Sequence, residues 1–163
     1  MSTTQSPQKT QWLPLIICIA IPLAIGVTAS FFTDADSAWY RGLNKPSFNP
    51  PAWLFAPVWT ILYIMMGVAS YLIWEKRDES VAYLKARSLY VMQLLFNFGW
   101  SFIFFRGQNV LGGMVIIVFL LALIITCIVH FKKINKTAAW LMVPYLLWVT
   151  FATLLNYTII TLN

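Results

Sequence analysis

The sequence predicts an all-α integral membrane protein, a bundle of five transmembrane helices forming a single domain over residues 1–163. Three observations carry this. Sixty per cent of the 163 residues are hydrophobic and only 10% charged, whereas an ordinary soluble domain has about half and about a quarter. Eleven basic and five acidic side chains are too few to cover a soluble protein of this size. The charges also divide the chain into five charge-free stretches of 18 to 29 residues, at 10–33, 46–74, 88–105, 107–131 and 137–163. A helix needs about 20 apolar residues to cross the hydrocarbon core. This composition excludes a soluble enzyme, a disordered chain and a nucleic-acid partner, because the net charge of +6 gathers on no basic face.

Backbone groups in lipid must be paired within the protein, so each stretch reads as a helix. Runs such as LGGMVIIVFLLALIITCIV lack the alternation of a transmembrane barrel. The first span is placed at 11–32. Its TAS at 28–30 resembles a signal-cleavage site, but one Lys in the lead-in and a long apolar run favour a retained helix. A lid-like loop follows at 33–51, TDADSAWYRGLNKPSFNPP, stiffened by Pro46, Pro50 and Pro51 and too polar to span. It suits either an interfacial anchor or a structured cover over the bundle. The second span is placed at 52–74, the third at 83–105, the fourth at 109–131 and the fifth at 138–161. Eight basic residues fall on the N-terminal side (Lys9, Lys76, Arg77, Lys85, Arg87, Lys132, Lys133, Lys136) and three on the other (Arg41, Lys45, Arg106). The N-terminus is therefore expected in the cytoplasm and the C-terminus outside.

All five acidic residues sit in loops or at span ends, which argues against a proton-coupled pump and against carboxylate acid–base catalysis. Cys18 and Cys127 lie in apolar runs with no metal-ligand or disulfide spacing. Uncharged polar residues gather on helix faces instead. Gln93, Asn97, Trp100 and Ser101 share one face of the third span. Tyr145, Trp148, Ala152 and Asn156 share one face of the fifth, and Trp59, Tyr63, Met66 and Ser70 one face of the second. Such stripes serve either as interhelical hydrogen bonds or as polar hooks in a cavity. Trp12, Trp53, Trp74 and Trp140 sit near span ends, as an aromatic belt would. Trp59, Trp100 and Trp148 lie deep, and that arrangement suits a flat, largely apolar ligand.

Three runs, WYRGLNKPSFNPPAWLFAPVWTILYIMMGVASYLIW (39–74), QLLFNFGWSFIFF (93–105) and AAWLMVPYLLWVTFATLLNY (138–157), resemble the tryptophan-rich sensory protein / translocator protein family, also called peripheral benzodiazepine receptors. The resemblance implies a five-helix bundle whose first long loop covers a ligand cavity. It implies binding of porphyrins such as protoporphyrin IX and of benzodiazepine-type drugs. Light-dependent porphyrin degradation is an activity reported for some bacterial members. Carried over, the ligand site comprises Trp39, Tyr40, Pro50, Trp59, Asn97, Trp100, Trp148 and Ala152, to which the face analysis adds Tyr63 and Tyr145. Phe48 stands where the family commonly has Trp. No basic residue follows Tyr157, so the animal cholesterol motif is not carried over.

No conventional catalytic constellation and no metal site is visible, and no cofactor is obligatory; a porphyrin is expected as ligand, bringing its own photochemistry. His130, at the end of the fourth span beside Lys132, reads as interfacial. The competing reading is a small transporter of tetrapyrrole intermediates or other hydrophobic solutes. The expected location is the bacterial plasma membrane. Ala20-xxx-Ala24 and Gly26-xxx-Ser30 on the first span allow close helix approach, either to a second copy in a homodimer or within one bundle. The orientation has a direct test. A Cys introduced at position 135 should react with a membrane-impermeant reagent only from the cytoplasmic side; labelling from outside intact cells reverses the topology.

Overall fold

A computed structural model describes residues 10–78 and 80–163, and among these there is helix and no strand. The chain runs through α1 (Trp12–Ser30), α2 (Ala38–Gly42), α3 (Ala52–Trp74), α4 (Val81–Ser101), α5 (Val110–Ile134), α6 (Lys136–Leu141) and α7 (Val143–Leu162). A π-helical turn, Phe102–Arg106, extends α4. Five units are long and apolar enough to cross a membrane: α1, α3, α4 with its π turn, α5, and α6 with α7. Lys9, used in the orientation argument, lies outside the described residues.

Side chains fix the element boundaries. Ser80 accepts a hydrogen bond from Tyr83 N at 3.2 Å, so the third span starts at residue 81, two residues before the expected 83. The fourth span runs on to Ile134, because Lys132 and Lys133 favour rather than break a helix C-terminus. Asn135 then turns the chain alone. Its backbone N donates to Phe131 O at 2.7 Å, and its side chain accepts from Ala138 N at 3.1 Å. The loop expected between the fourth and fifth spans is thus one extended residue. The fifth span is not the single helix expected over 138–161. It breaks at Met142, since Pro144 has no N–H for the carbonyl four residues earlier.

The helices pack as a closed ring in the order α1, α3, α6–α7, α5, α4. The contacts around the ring are unequal. α1 lies mainly against α3 and α4 mainly against α5, whereas α1 touches α4 lightly. Lipid removes the hydrophobic drive between apolar helices, so close packing has to come from small residues. Gly67 supplies it: a Cβ there would sit 2.5 Å from Ile19 Cα and 2.8 Å from the Cys18 carbonyl oxygen. Gly26 on α1 does the same against the Tyr63 ring. The outward faces stay apolar, and Trp12, Trp53 and Trp140 are exposed near their span ends.

These contacts yield a paired prediction. Gly67→Val forces one backbone away from another and should destabilise the bundle by more than the ~1–3 kcal/mol of ordinary overpacking. Gly99→Ala, on α4 with nothing within 4 Å of the added carbon, should be neutral or stabilising. Thermal unfolding in detergent, followed by circular dichroism, separates the two.

Candidate functional site

The loop over 33–51 is a built structure. Ser37 caps α2 by accepting from Tyr40 N at 3.2 Å. Lys45 Nζ closes the other end, donating to Tyr40 O at 2.5 Å and Leu43 O at 3.2 Å, with the ammonium 4.6 Å from the Tyr40 ring centre. Asn44 and Asn163 tie the loop to the end of α7. Asn44 N donates to Asn163 Oδ1 at 2.9 Å, Asn44 Nδ2 to Leu162 O at 3.1 Å, and Asn163 Nδ2 back to Asn44 O at 3.0 Å. Burial pushes the Tyr40 phenol above its ordinary pKa.

Beneath α2 lies a second apolar cluster of Tyr40, Phe104, Leu155 and Ile159, with Trp39, Trp100 and Phe105 packed on it. The π turn assembles it. Gly107 N donates to Phe102 O at 2.9 Å, five residues back, and this wider turn brings Phe104 and Phe105 inward together. Phe104 then stacks on Trp100 at 5.2 Å and meets Trp39 edge-on at 5.7 Å. Trp39 therefore fastens the lid to the bundle.

Under the lid is a cavity of about 400 Å³. Its walls come from α1 (Leu23, Gly26, Val27, Ser30), α3 (Phe55, Ala56, Trp59, Tyr63), α4 (Trp100, Ser101), Phe105, and Tyr40 of the lid. Four of the ten expected site residues, Tyr40, Trp59, Tyr63 and Trp100, border it. Trp39, Pro50, Asn97, Tyr145, Trp148 and Ala152 do not. The space lies between α1, α3 and α4 rather than among the second, third and fifth spans.

The side toward α7 is filled. Asn97 Oδ1 accepts from Tyr63 OH at 2.6 Å, and Asn97 Nδ2 donates to Tyr145 OH at 3.1 Å, joining α3, α4 and α7 through one buried amide. Trp148 meets Phe55, a wall residue, edge-on at 5.9 Å. Trp59 stacks on Tyr63 at 5.4 Å. Trp100 Nε1 is buried with no hydrogen-bond partner, and a buried indole N–H ordinarily has one.

The contribution of α1 was missed because that helix is almost uniformly apolar and offers no polar stripe to read. Its one signal was Gly26-xxx-Ser30, which faces inward to the cavity; Ala20 and Ala24 remain on the outer surface. His130 Nδ1 lies 2.8 Å from Thr126 O, a contact within its own helix that makes Nδ1 the protonated nitrogen. Among the described residues no group of three His, Cys, Asp or Glu side chains could hold a metal ion.

The geometry is that of an all-helical membrane protein with an aromatic cavity covered at one end by a hydrogen-bonded loop. Comparison with known proteins places the chain more narrowly. A sequence profile of the TspO/MBR family matches residues 18–162. The chain is 46% identical to the tryptophan-rich protein TspO of Chlorobaculum tepidum, covering 94% of this chain and 98% of that one. It is 43% identical to the protein of the same name from Archaeoglobus fulgidus, covering 93% and 97%. It is 34% identical to the human translocator protein, covering 91% and 89%. The chain belongs to the TspO/MBR family and is an integral membrane protein.

The Asn97 junction makes a stability prediction. Asn97→Leu leaves two buried hydroxyls without their partner and should cost ~1–2 kcal/mol, the range for interhelical hydrogen bonds in model membrane peptides. The Tyr63→Phe/Asn97→Leu/Tyr145→Phe triple variant, with all three polar groups removed, should recover part of it. Unfolding in detergent reads both.

Proposed function

We propose that this protein binds flat, hydrophobic ligands of the porphyrin and benzodiazepine type in the cavity beneath the 33–51 loop, and acts as a receptor for them. The observation that carries this reading is the aromatic wall of that space, built by Trp59, Tyr63 and Trp100 with Tyr40 above them. Stacking surfaces from Trp59, Tyr63 and Trp100 suit an extended π system with few polar atoms. The volume of about 400 Å³ lies toward the lower end of drug-sized sites.

The anionic propionates of such a macrocycle stay hydrated by pointing to the lid end, where Arg41 and Arg106 are exposed. Lys45, the third cation there, is held by the backbone carbonyls it caps. A porphyrin held in light supplies its own oxidising chemistry, and Trp59 and Trp100 are the oxidisable side chains at the wall. The bacterial plasma membrane, an N-terminus in the cytoplasm and association of two copies through the outer face of α1 complete the reading.

Quenching of tryptophan fluorescence by added protoporphyrin IX tests it. Binding should saturate. Trp59→Phe and Trp100→Phe should each raise the dissociation constant about twofold, the partial loss of a stacking contact, since phenylalanine keeps a smaller ring. Trp148→Phe, one residue removed from the wall, should change it less. Asn44→Ala/Asn163→Ala, which removes all three hydrogen bonds between the loop and α7, should speed both entry and exit. Quenching that never saturates, or that is equal in all variants, overturns the reading.

A further inference from the structure

A second and larger hollow lies at the opposite end of the same three helices. It has a volume of about 1040 Å³ and opens between α1 and α4, where those helices touch only lightly. Its walls are apolar. They run from Leu13 to Ile21 on α1 and from Leu84 to Leu94 on α4, with the end of α3 as floor. Ten residues of helix rise about 15 Å, and half of a hydrocarbon core is also about 15 Å. The hollow is therefore one leaflet deep.

Its mouth carries Arg77 and Arg87. Arg77 is fixed there: its guanidinium lies 3.7 Å over the Trp74 ring, and Nη1 donates to Trp74 O at 3.3 Å. The carboxylate at the rim, Asp78, is engaged by Ser80, whose backbone N at 3.1 Å and hydroxyl both donate to it; these bonds hold its carboxyl below the ordinary pKa. Between residues 75 and 87 the chain carries four basic side chains (Lys76, Arg77, Lys85, Arg87) against three acidic ones (Glu75, Asp78, Glu79). A one-leaflet apolar slot beneath two guanidinium groups matches an acyl chain joined to a phosphate.

We infer that the hollow between α1 and α4 is a binding site for an anionic phospholipid of the adjoining leaflet, its acyl chain along Leu84–Leu94 and its phosphate at Arg77 and Arg87. The site uses none of the cavity beneath the loop and does not depend on the ligand proposed there. It gives the seam between α1 and α4 a lipid filler where the helices themselves do not close it.

The test is native mass spectrometry of the full chain, delipidated in detergent and titrated separately with phosphatidylglycerol and phosphatidylcholine of the same acyl composition. The wild type should retain one phosphatidylglycerol at about thirtyfold lower concentration than phosphatidylcholine, the scale set by two basic groups at a lipid surface. Arg77→Gln/Arg87→Gln, at exposed positions, should keep the fold and lose that preference. Val91→Trp, which fills the slot, should lower retention of both lipids. Inorganic phosphate at millimolar concentration should not displace the lipid. Equal retention of the two lipids by the wild type, an unchanged preference in the double variant, or displacement by phosphate would each overturn the assignment. If Val91→Trp does not fold, the double variant and the phosphate competition still decide it.

Discussion

The close approach of α1 to α3 at Gly67 organises this molecule. Helices in lipid gain little from hiding apolar surface from one another, so proximity depends on the absence of side chains at the contact. Gly67 lets the α1 backbone at Cys18 and Ile19 lie directly on α3, and Gly26 lets Tyr63 lie across α1. With α1 committed to α3, and α4 committed to α5, the seam between α1 and α4 is left partly open. Both cavities lie along it. They are separated on α1 by Pro22, which is buried between Ile21, bordering one, and Leu23, bordering the other.

The polar chemistry of the interior follows the same division. On the tightly packed side, the amide of Asn97 is consumed by the hydroxyls of Tyr63 and Tyr145 and holds three helices together. On the side facing the α1–α4 seam, Trp100 borders the cavity. Neighbouring residues on one face of α4 thus carry opposite duties. What separates them is whether a partner helix reaches them, which a helical wheel does not contain.

That distinction sets what was legible in the sequence. The five spans were readable because charge is so costly in lipid that it marks their limits, and the second span, bounded by Pro51 and Glu75, was placed at its observed residues. The built character of the 33–51 loop was half legible: its prolines and aromatics were plain, but Lys45 capping α2 and Asn44 meeting Asn163 depend on long-range geometry. The kink at Met142 follows from Pro144 and was available to a stricter reading. The position of the cavity was not legible, because stripes on the second, third and fifth spans are equally well explained by mutual packing. Only the placement of the nearly featureless α1 distinguishes a wall from a core.

The π turn at Phe102–Arg106 carries a consequence for how this site tolerates change. A π turn holds one more residue than the α-helical turn it replaces. Losing a single residue there would restore the regular turn, in which successive side chains stand about 100° apart. Phe104 and Phe105 could then no longer both face Trp100 and Tyr40. The lid-side cavity is thus specified by chain length as well as by residue identity. Substitutions within 102–106 alter its lining, whereas a deletion there dismantles it while leaving the hydrophobic pattern of the span almost unchanged.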